Sequence, residues 1–391
     1  MKVTDVEIFD INTDFKPDWH PVIVRINTDE GVSGLGEVGL AYGTGHTAGA
    51  GMAKNNAERF VLGSDPMKIE KMWDTLFHST FWARGGGPVV FGGISAIDTA
   101  LWDIKGKSLG VPVYELLGGK TNNKLRTYAS QIQFGWGKEL RFCREPSEYA
   151  EEAMKAVAEG YDCIKVDPVL FDANGVRDDK LKRTLNNNEV KLFCNRLKAV
   201  REAVGSDIDI IIEAHANLSV TTAIQLGRLW EELNCMYYEE PVSYLNVDLQ
   251  NKVTKNVRIP FAAGERIYTR WGYRQYLEKQ ALNIIQPDLG LAGGISEGKK
   301  ICDYANIFDV TVQLHVCGSP VATAAALQLE AVIPNFLIHE HHTYALKDGN
   351  IKLCKQNYQP ENGYFEIPEV PGLGIELNED AVSESPKYVV K

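Results

Sequence analysis

Residues 208–213 read IDIIIE, 236–240 read MYYEE and 259–265 read IPFAAGE. Each run is apolar, β-branched or aromatic and ends in acid, so Glu213, Glu239 and Glu265 stand 26 residues apart. A strand, a loop and a covering helix together use about that many residues, and the period therefore predicts three successive βα units. In a parallel barrel the strand ends converge on one mouth. Three uncompensated carboxylates there repel one another strongly unless a cation lies among them. A hard divalent metal is the simple answer.

The rhythm continues in both directions. From Glu265 it is 23 residues to Asp288, which closes LNIIQPD, then 27 to His315, which closes VTVQLH, and 25 to Glu340 within FLIHEHH. Upstream, YDCIKVD carries Lys165 and Asp167, and KLRTYAS starts the series near residue 124. Between these eight strand-like runs lie helical patterns such as NNEVKLFCNRLKAVREAVG (187–205), apolar near helical spacing with charges between. The fold class is α/β, a (β/α) barrel over about 124–350 with chemistry at the strand C-termini.

Residues 1–123 are organised differently. VEIFDI and VIVRINTDEGVSGLGEV predict strands joined by a DEG turn, followed by helices around 47–80 and 94–108, the second opening on a capping-box-like Ser95 and Asp98. This is a smaller α+β domain. The tail, 351–391, contains GYFEIPEVPGLGIELNE and is rich in strands and turns, so it is expected to return to that first domain.

The chain has 391 residues, 44% of them hydrophobic, which is ample for a core. A net charge of −11 without any run of Lys or Arg argues against nucleic acid or an anionic membrane as partner. Seven Cys without CxxC spacing, an odd number, and an N-terminus without an apolar signal segment predict a reducing, cytoplasmic setting. No stretch approaches a membrane span.

TDEGVSGLGEV (28–38), AIDTALWDIKGKSLGVPVYELLGG (96–119), EEP (239–241), AAGE (262–265) and QPDLGLAGGISE (286–297), in this order and spacing, resemble the enolase superfamily, specifically the mandelate racemase-like acid-sugar dehydratases of the galactonate dehydratase kind. The resemblance covers nearly the whole chain. It implies an α+β capping domain over a modified TIM barrel, (β/α)7β, with Mg2+ held by Glu213, Glu239 and Glu265. It matches Asp288 and His315 to an Asp/His dyad, Glu340 to a protonated acid that bonds the developing enolate, and His215 to the group that protonates the leaving hydroxyl. It also implies a homo-oligomer and a small-molecule sugar-acid substrate.

These residue types suit the chemistry. A proton next to a carboxylate is too weakly acidic for histidine to remove unless the enediolate is stabilised as it forms, and Mg2+ on the substrate carboxylate does that. Oxygen ligands suit this metal. Asp288 on the strand beside His315 can fix its tautomer and raise its basicity. His215 follows Glu213 by two residues, so in an extended strand both project to the same side. Crowding among carboxylates is expected to raise the pKa of Glu340.

One departure bears on the reaction. Mandelate racemase carries Lys-x-Lys at the second barrel strand, with the second lysine a base, whereas this chain has Lys165-Val166-Asp167. Lys165 can pair with Asp167, contact the substrate carboxylate or bond a sugar hydroxyl. The missing base favours abstraction from one side, and so dehydration to a 2-keto-3-deoxy acid, over racemisation or epimerisation of a 2-hydroxy acid or dipeptide. A weakly active sensor or regulator is the reading from another class, against which the full set of ligands and histidines argues.

The resemblance further implies a capping-domain loop, here between 15 and 46, that closes over the mouth and reads the distal substrate, with Trp19 and His20, and Tyr42 to His46, as candidates. Arg84 beside three glycines can meet an anion or close a mobile loop. FDANGVRDDKLKRTLNNN (171–188) is a polar excursion near the mouth, expected as a flap or subunit contact. Gly34, Gly36 and Gly39 fit GxGxxG, yet no βαβ helix follows, and a dinucleotide site is rejected. HEHH lacks the spacing and Cys of a zinc site. Gly293 and Gly294 are weak support for a phosphate-binding barrel.

Overall fold

The computed structural model describes residues 1–13 and 18–391; residues 14–17, where the candidate specificity loop begins, lie outside the described residues. Three antiparallel strands, β1 (Val3–Asp10), β2 (Val22–Thr28) and β3 (Ser33–Val38), form the first sheet, with β2 and β3 joined across the expected DEG turn. Helices His46–Asn56, Ile69–Ser79 and Pro88–Leu109 cover it around an apolar cluster that includes Val6, Ile8, Val24, Ile26, Ile97 and Leu101. Gly34 and Gly36 have a packing role: a Cβ on either would collide with the carbonyl oxygens of Ala100 and Ala96 on the long helix.

That helix corrects the expected start. It begins at Pro88 rather than Ser95, with proline in the first turn, where its missing N–H costs nothing. Ser95 and Asp98 lie mid-helix and cap another element across the domain boundary. Ser95 Oγ accepts from Gly293 N at 2.9 Å and Asp98 Oδ2 from Ser296 N at 2.9 Å, satisfying amides at the start of helix Gly294–Asn306.

The second unit is a parallel sheet in chain order: β4 (Lys124–Ser130), β5 (Cys163–Val166), β6 (Asp209–Glu213), β7 (Tyr237–Glu239), β8 (Phe261–Ala263), β9 (Ile284–Ile285), β10 (Thr311–Val312) and β11 (His339–His342). β11 pairs with β4, and the bridge Val312–Phe336 joins β10 to the segment entering β11. Each of the first seven strands is followed by a helix of eight residues or more, whereas the eighth is followed only by the short helical segments Thr343–Leu346 and Asp348–Ile351, which gives the (β/α)7β modified TIM barrel. Within the tail, β12 (Tyr364–Glu366) pairs antiparallel with β4, while β13 (Lys387–Val390) returns to the first sheet beside β1.

Alternation along the strands decides what enters the barrel. Tyr128, Cys163, Ile211, Tyr237 and Ile338 pack together with Ala262 and Ile284 inside it. Two residues further along come Ser130, Lys165, Glu213, Glu239 and Glu340. Ile210 and Ile212 point outward into the core shared with the helices. An apolar plug is thus followed, one layer up, by a layer of charge.

Candidate active site

Glu213 and Glu239 are register partners across β6 and β7, and Glu265 lies just beyond the end of β8. Their carboxylates converge, each offering an oxygen within 4.8 Å of the others. Glu213 Oε1 accepts from the amides of Ala214 and His215, at 2.9 and 3.0 Å. Its buried Oε2 has no hydrogen bond among the described residues and faces the Lys165 ammonium at 3.2 Å. Three converging all-oxygen donors fit a hard dication.

The carboxylates are not uncompensated, as the spacing alone implied. Lys165, 1% exposed, places Nζ 3.2 Å from Glu213, 3.0 Å from Glu239 and 2.9 Å from Glu340. On the other flank Arg266 pairs with Glu240 and lies 3.2 Å from Glu265. Burial pushes Glu239 well up, the neighbouring Glu213 adds to this, and Lys165 opposes it. Glu265 goes the other way: against burial, His315, then Arg266 and His215, bring it down to about 2.

Glu340 departs from its expected state. Burial raises its pKa, but the Lys165 ammonium, then His315 and His342, outweigh this and hold it well below the usual carboxylate range. Ser130 Oγ and Val316 N donate to its two oxygens, at 2.6 and 3.0 Å. It is therefore an ionised member of the cluster. The adjoining histidines turn to separate partners: His339 Nδ1 to Glu330, His341 Nδ1 to the Tyr161 hydroxyl, both at 2.6 Å, and His342 Nδ1 to Tyr344 N at 3.1 Å.

Two histidines flank the carboxylates, each backed by an aspartate. His315 Nδ1 lies 2.7 Å from Asp288 Oδ2, with Nε2 3.5 Å from Glu265, and the two residues form a parallel bridge beyond β9 and β10. His215 Nδ1 lies 2.6 Å from Asp167 Oδ2. Desolvation opposes the charge on both rings. Glu265 and the bonded Asp288 nevertheless lift His315 to about 10, and Glu213 and Asp167 lift His215 to about 9.

His215 does not reach the mouth along an extended strand. β6 ends at Glu213, and His215 and Ala216 have φ of 45° and 58°, two successive left-handed residues without glycine. Such a turn costs energy and persists only where its surroundings enforce it. Asp167, expected at the substrate, is fully buried, accepts from Val169 N at 2.9 Å and holds the His215 ring.

Both histidines, Glu265 and Arg266 open on one cavity of about 440 Å³. Its outer walls are Tyr42 and Leu291, Phe134 and Leu170, Tyr344, and Arg177 and Asp179 from the excursion after β5. Trp19 and His20 occupy other places than expected. Trp19 is fully buried, edge-on to Tyr344 at 4.8 Å, and His20 stacks on His46 at 4.3 Å. Arg84 lines a separate cleft with Tyr244 and Trp271. Gln131, 3.4 Å from His215 Nε2, and Arg266 escaped the sequence reading; the only signal for Arg266 was its place directly after Glu265.

Two family models match the chain: the mandelate racemase/muconate lactonizing enzyme N-terminal domain over residues 16–118, and the enolase C-terminal domain-like model over 148–381. A D-xylonate dehydratase of Haloferax volcanii is 36% identical over 97% of this chain and 89% of its own length. A D-galactonate dehydratase of Variovorax paradoxus is 32% identical over 98% and 94%. The crystal structure of an enolase superfamily member from Salmonella Typhimurium, 53% identical, covers both chains completely with a TM-score of 0.97.

Proposed function

Because the chain belongs to the enolase superfamily, among its mandelate racemase-like acid-sugar dehydratases, we propose that it is a Mg2+-dependent hydro-lyase that turns a sugar acid, an aldonate or aldarate, into a 2-keto-3-deoxy acid. One observation carries this reading: three carboxylates converge, and the cavity that Glu265 of this set lines is shared by two aspartate-backed histidines. Dehydration next to a carboxylate needs a base on the α-proton and an acid on the leaving hydroxyl.

Glu213, Glu239 and Glu265 would hold Mg2+, which when bound supplies charge stabilisation to the substrate carboxylate as the enediolate develops. Glu265 is the largest influence holding a proton on His315, and once its charge is engaged by the cation the Nε2 of His315 is free to take the α-proton while Asp288 fixes Nδ1. His215, whose charged form Asp167 and Glu213 favour, delivers a proton from Nε2 to the hydroxyl on the next carbon. Expulsion of that hydroxyl as water leaves an enol, which becomes the ketone. Lys165 pairs with ionised Glu340 and with Glu213 and Glu239 in the layer of charge at the strand ends.

A panel of aldonates and aldarates incubated with Mg2+ tests this through the new carbonyl. A keto acid formed from one or more of them supports the reading. Inversion of a carbinol without a carbonyl would replace dehydration by epimerisation.

A further inference from the structure

The excursion after β5 is a built hairpin. Phe171 and Arg177 pair across it, Asp172 N donates to Val176 O at 2.9 Å, and Gly175 supplies the left-handed turn at φ 73°. The fully buried Arg196 anchors its base, donating to the carbonyls of Pro168 at 2.9 Å, Phe171 at 2.6 Å and Asp172 at 3.0 Å. A bonded anchor of this kind fixes the direction of the arm.

The arm places Arg177 against the capping domain. Its guanidinium lies over the Tyr42 ring, 5.5 Å from the centroid, and Nη1 donates to the Tyr42 hydroxyl. Nε bonds both oxygens of Asp179, at 2.9 and 2.7 Å. Among the described residues these bonds leave the Nη2 edge of the fork for a ligand, and Arg177 and Asp179 both line the reaction cavity.

Resting on the dehydratase reading, we infer that Arg177 and Asp179 read the distal end of the substrate and select a monocarboxylic aldonate over a dicarboxylic aldarate. A hydroxyl both donates and accepts, so it matches a guanidinium and a carboxylate held side by side. A second substrate carboxylate matches only the guanidinium and meets repulsion from Asp179. The pair thus distinguishes the two ends of the acid by charge.

The experiment measures kcat and KM with Mg2+ on aldonates and aldarates of matched carbon number and configuration, for the wild type, Asp179→Asn and Arg177→Met. The wild type prefers the aldonate by about 10-fold or more in kcat/KM. Asp179→Asn narrows that ratio about 10-fold through a lower KM for the aldarate, and Arg177→Met raises the aldonate KM about 10-fold with kcat within about 3-fold. Both side chains are exposed on the arm, so the variants retain the fold. An active wild type that prefers aldarates, or whose ratio and KM values are the same in both variants, overturns this inference alone. A wild type that dehydrates no sugar acid overturns the dehydratase reading and this inference with it.

Discussion

Lys165 Nζ lies 2.9 Å from Glu340 Oε1, and both residues are buried within the barrel. The same ammonium contacts Glu213 and Glu239, and with Arg266 beside Glu265 on the other flank it compensates the carboxylates. Removing one partner of a buried ion pair costs about 3–5 kcal/mol because the other charge is left exposed to low dielectric. Lys165→Met is therefore expected to lower the melting temperature of metal-free protein, and Mg2+ to recover more of that loss than it adds to the wild type. Thermal denaturation with and without Mg2+ measures both; equal Mg2+ shifts in the two proteins would refute the compensation.

The metal itself gives a second expectation. Glu213→Gln, Glu239→Gln and Glu265→Gln each remove one anionic oxygen from a set whose members lie within 4.8 Å. Each should weaken Mg2+ binding in calorimetry by about 10-fold or more and abolish dehydration with a modest effect on fold. Wild-type activity that survives thorough chelation would sink the proposal.

Asp167 offers a test of positioning. Asp167→Asn keeps the shape but can present an amide to His215 Nδ1 and favour the wrong tautomer. Dehydration should slow about 10²-fold in kcat with KM little changed, and the limb of the pH profile belonging to the acid should move down, because the anion that favours the imidazolium is gone. An unmoved limb would leave Asp167 a packing residue.

Much of the barrel was legible because parallel strands return the chain to one mouth at near-constant intervals, which Glu213, Glu239, Glu265, Asp288 and His315 record. The direction of a side chain within that mouth has no such record. Lys165 and Asp167 share a face, yet only the fold shows one facing three carboxylates and the other a histidine. The state of Glu340 follows from Lys165, 175 residues away in the chain, and so escaped a reading of its neighbours. Ser95 and Asp98 misled because a capping pair carries the same local signature whether it caps its own helix or another's.

Asp98 makes a prediction about stability and pH. Burial pushes its carboxyl up to about 7. The unfolded chain titrates it near 4. The folded state therefore holds the extra proton between these values, and the stabilisation present below about pH 4 is lost as pH rises through about 7. Asp98→Asn keeps an acceptor for Ser296 N without titrating. Its melting temperature relative to wild type should rise by about 2 °C or more from pH 5 to pH 8. A difference independent of pH would show that the carboxyl is ionised throughout.

The division of labour between the histidines can be read from isotope exchange. If His315 takes the α-proton with Asp288 behind it, His315→Asn should abolish both dehydration and exchange of that proton with solvent deuterium. His215 acts later, so His215→Asn should block elimination while exchange continues, the enediolate being reprotonated by His315. Each loss is expected at about 10²- to 10⁴-fold, the usual worth of a positioned acid or base. Proton NMR of the substrate in D2O follows exchange, and a carbonyl assay follows dehydration. Exchange that survives in His315→Asn and vanishes in His215→Asn would reverse the roles, making His215 the base. Loss of both signals in both variants would mean that the two aspartate-backed rings act as one coupled unit across the cavity.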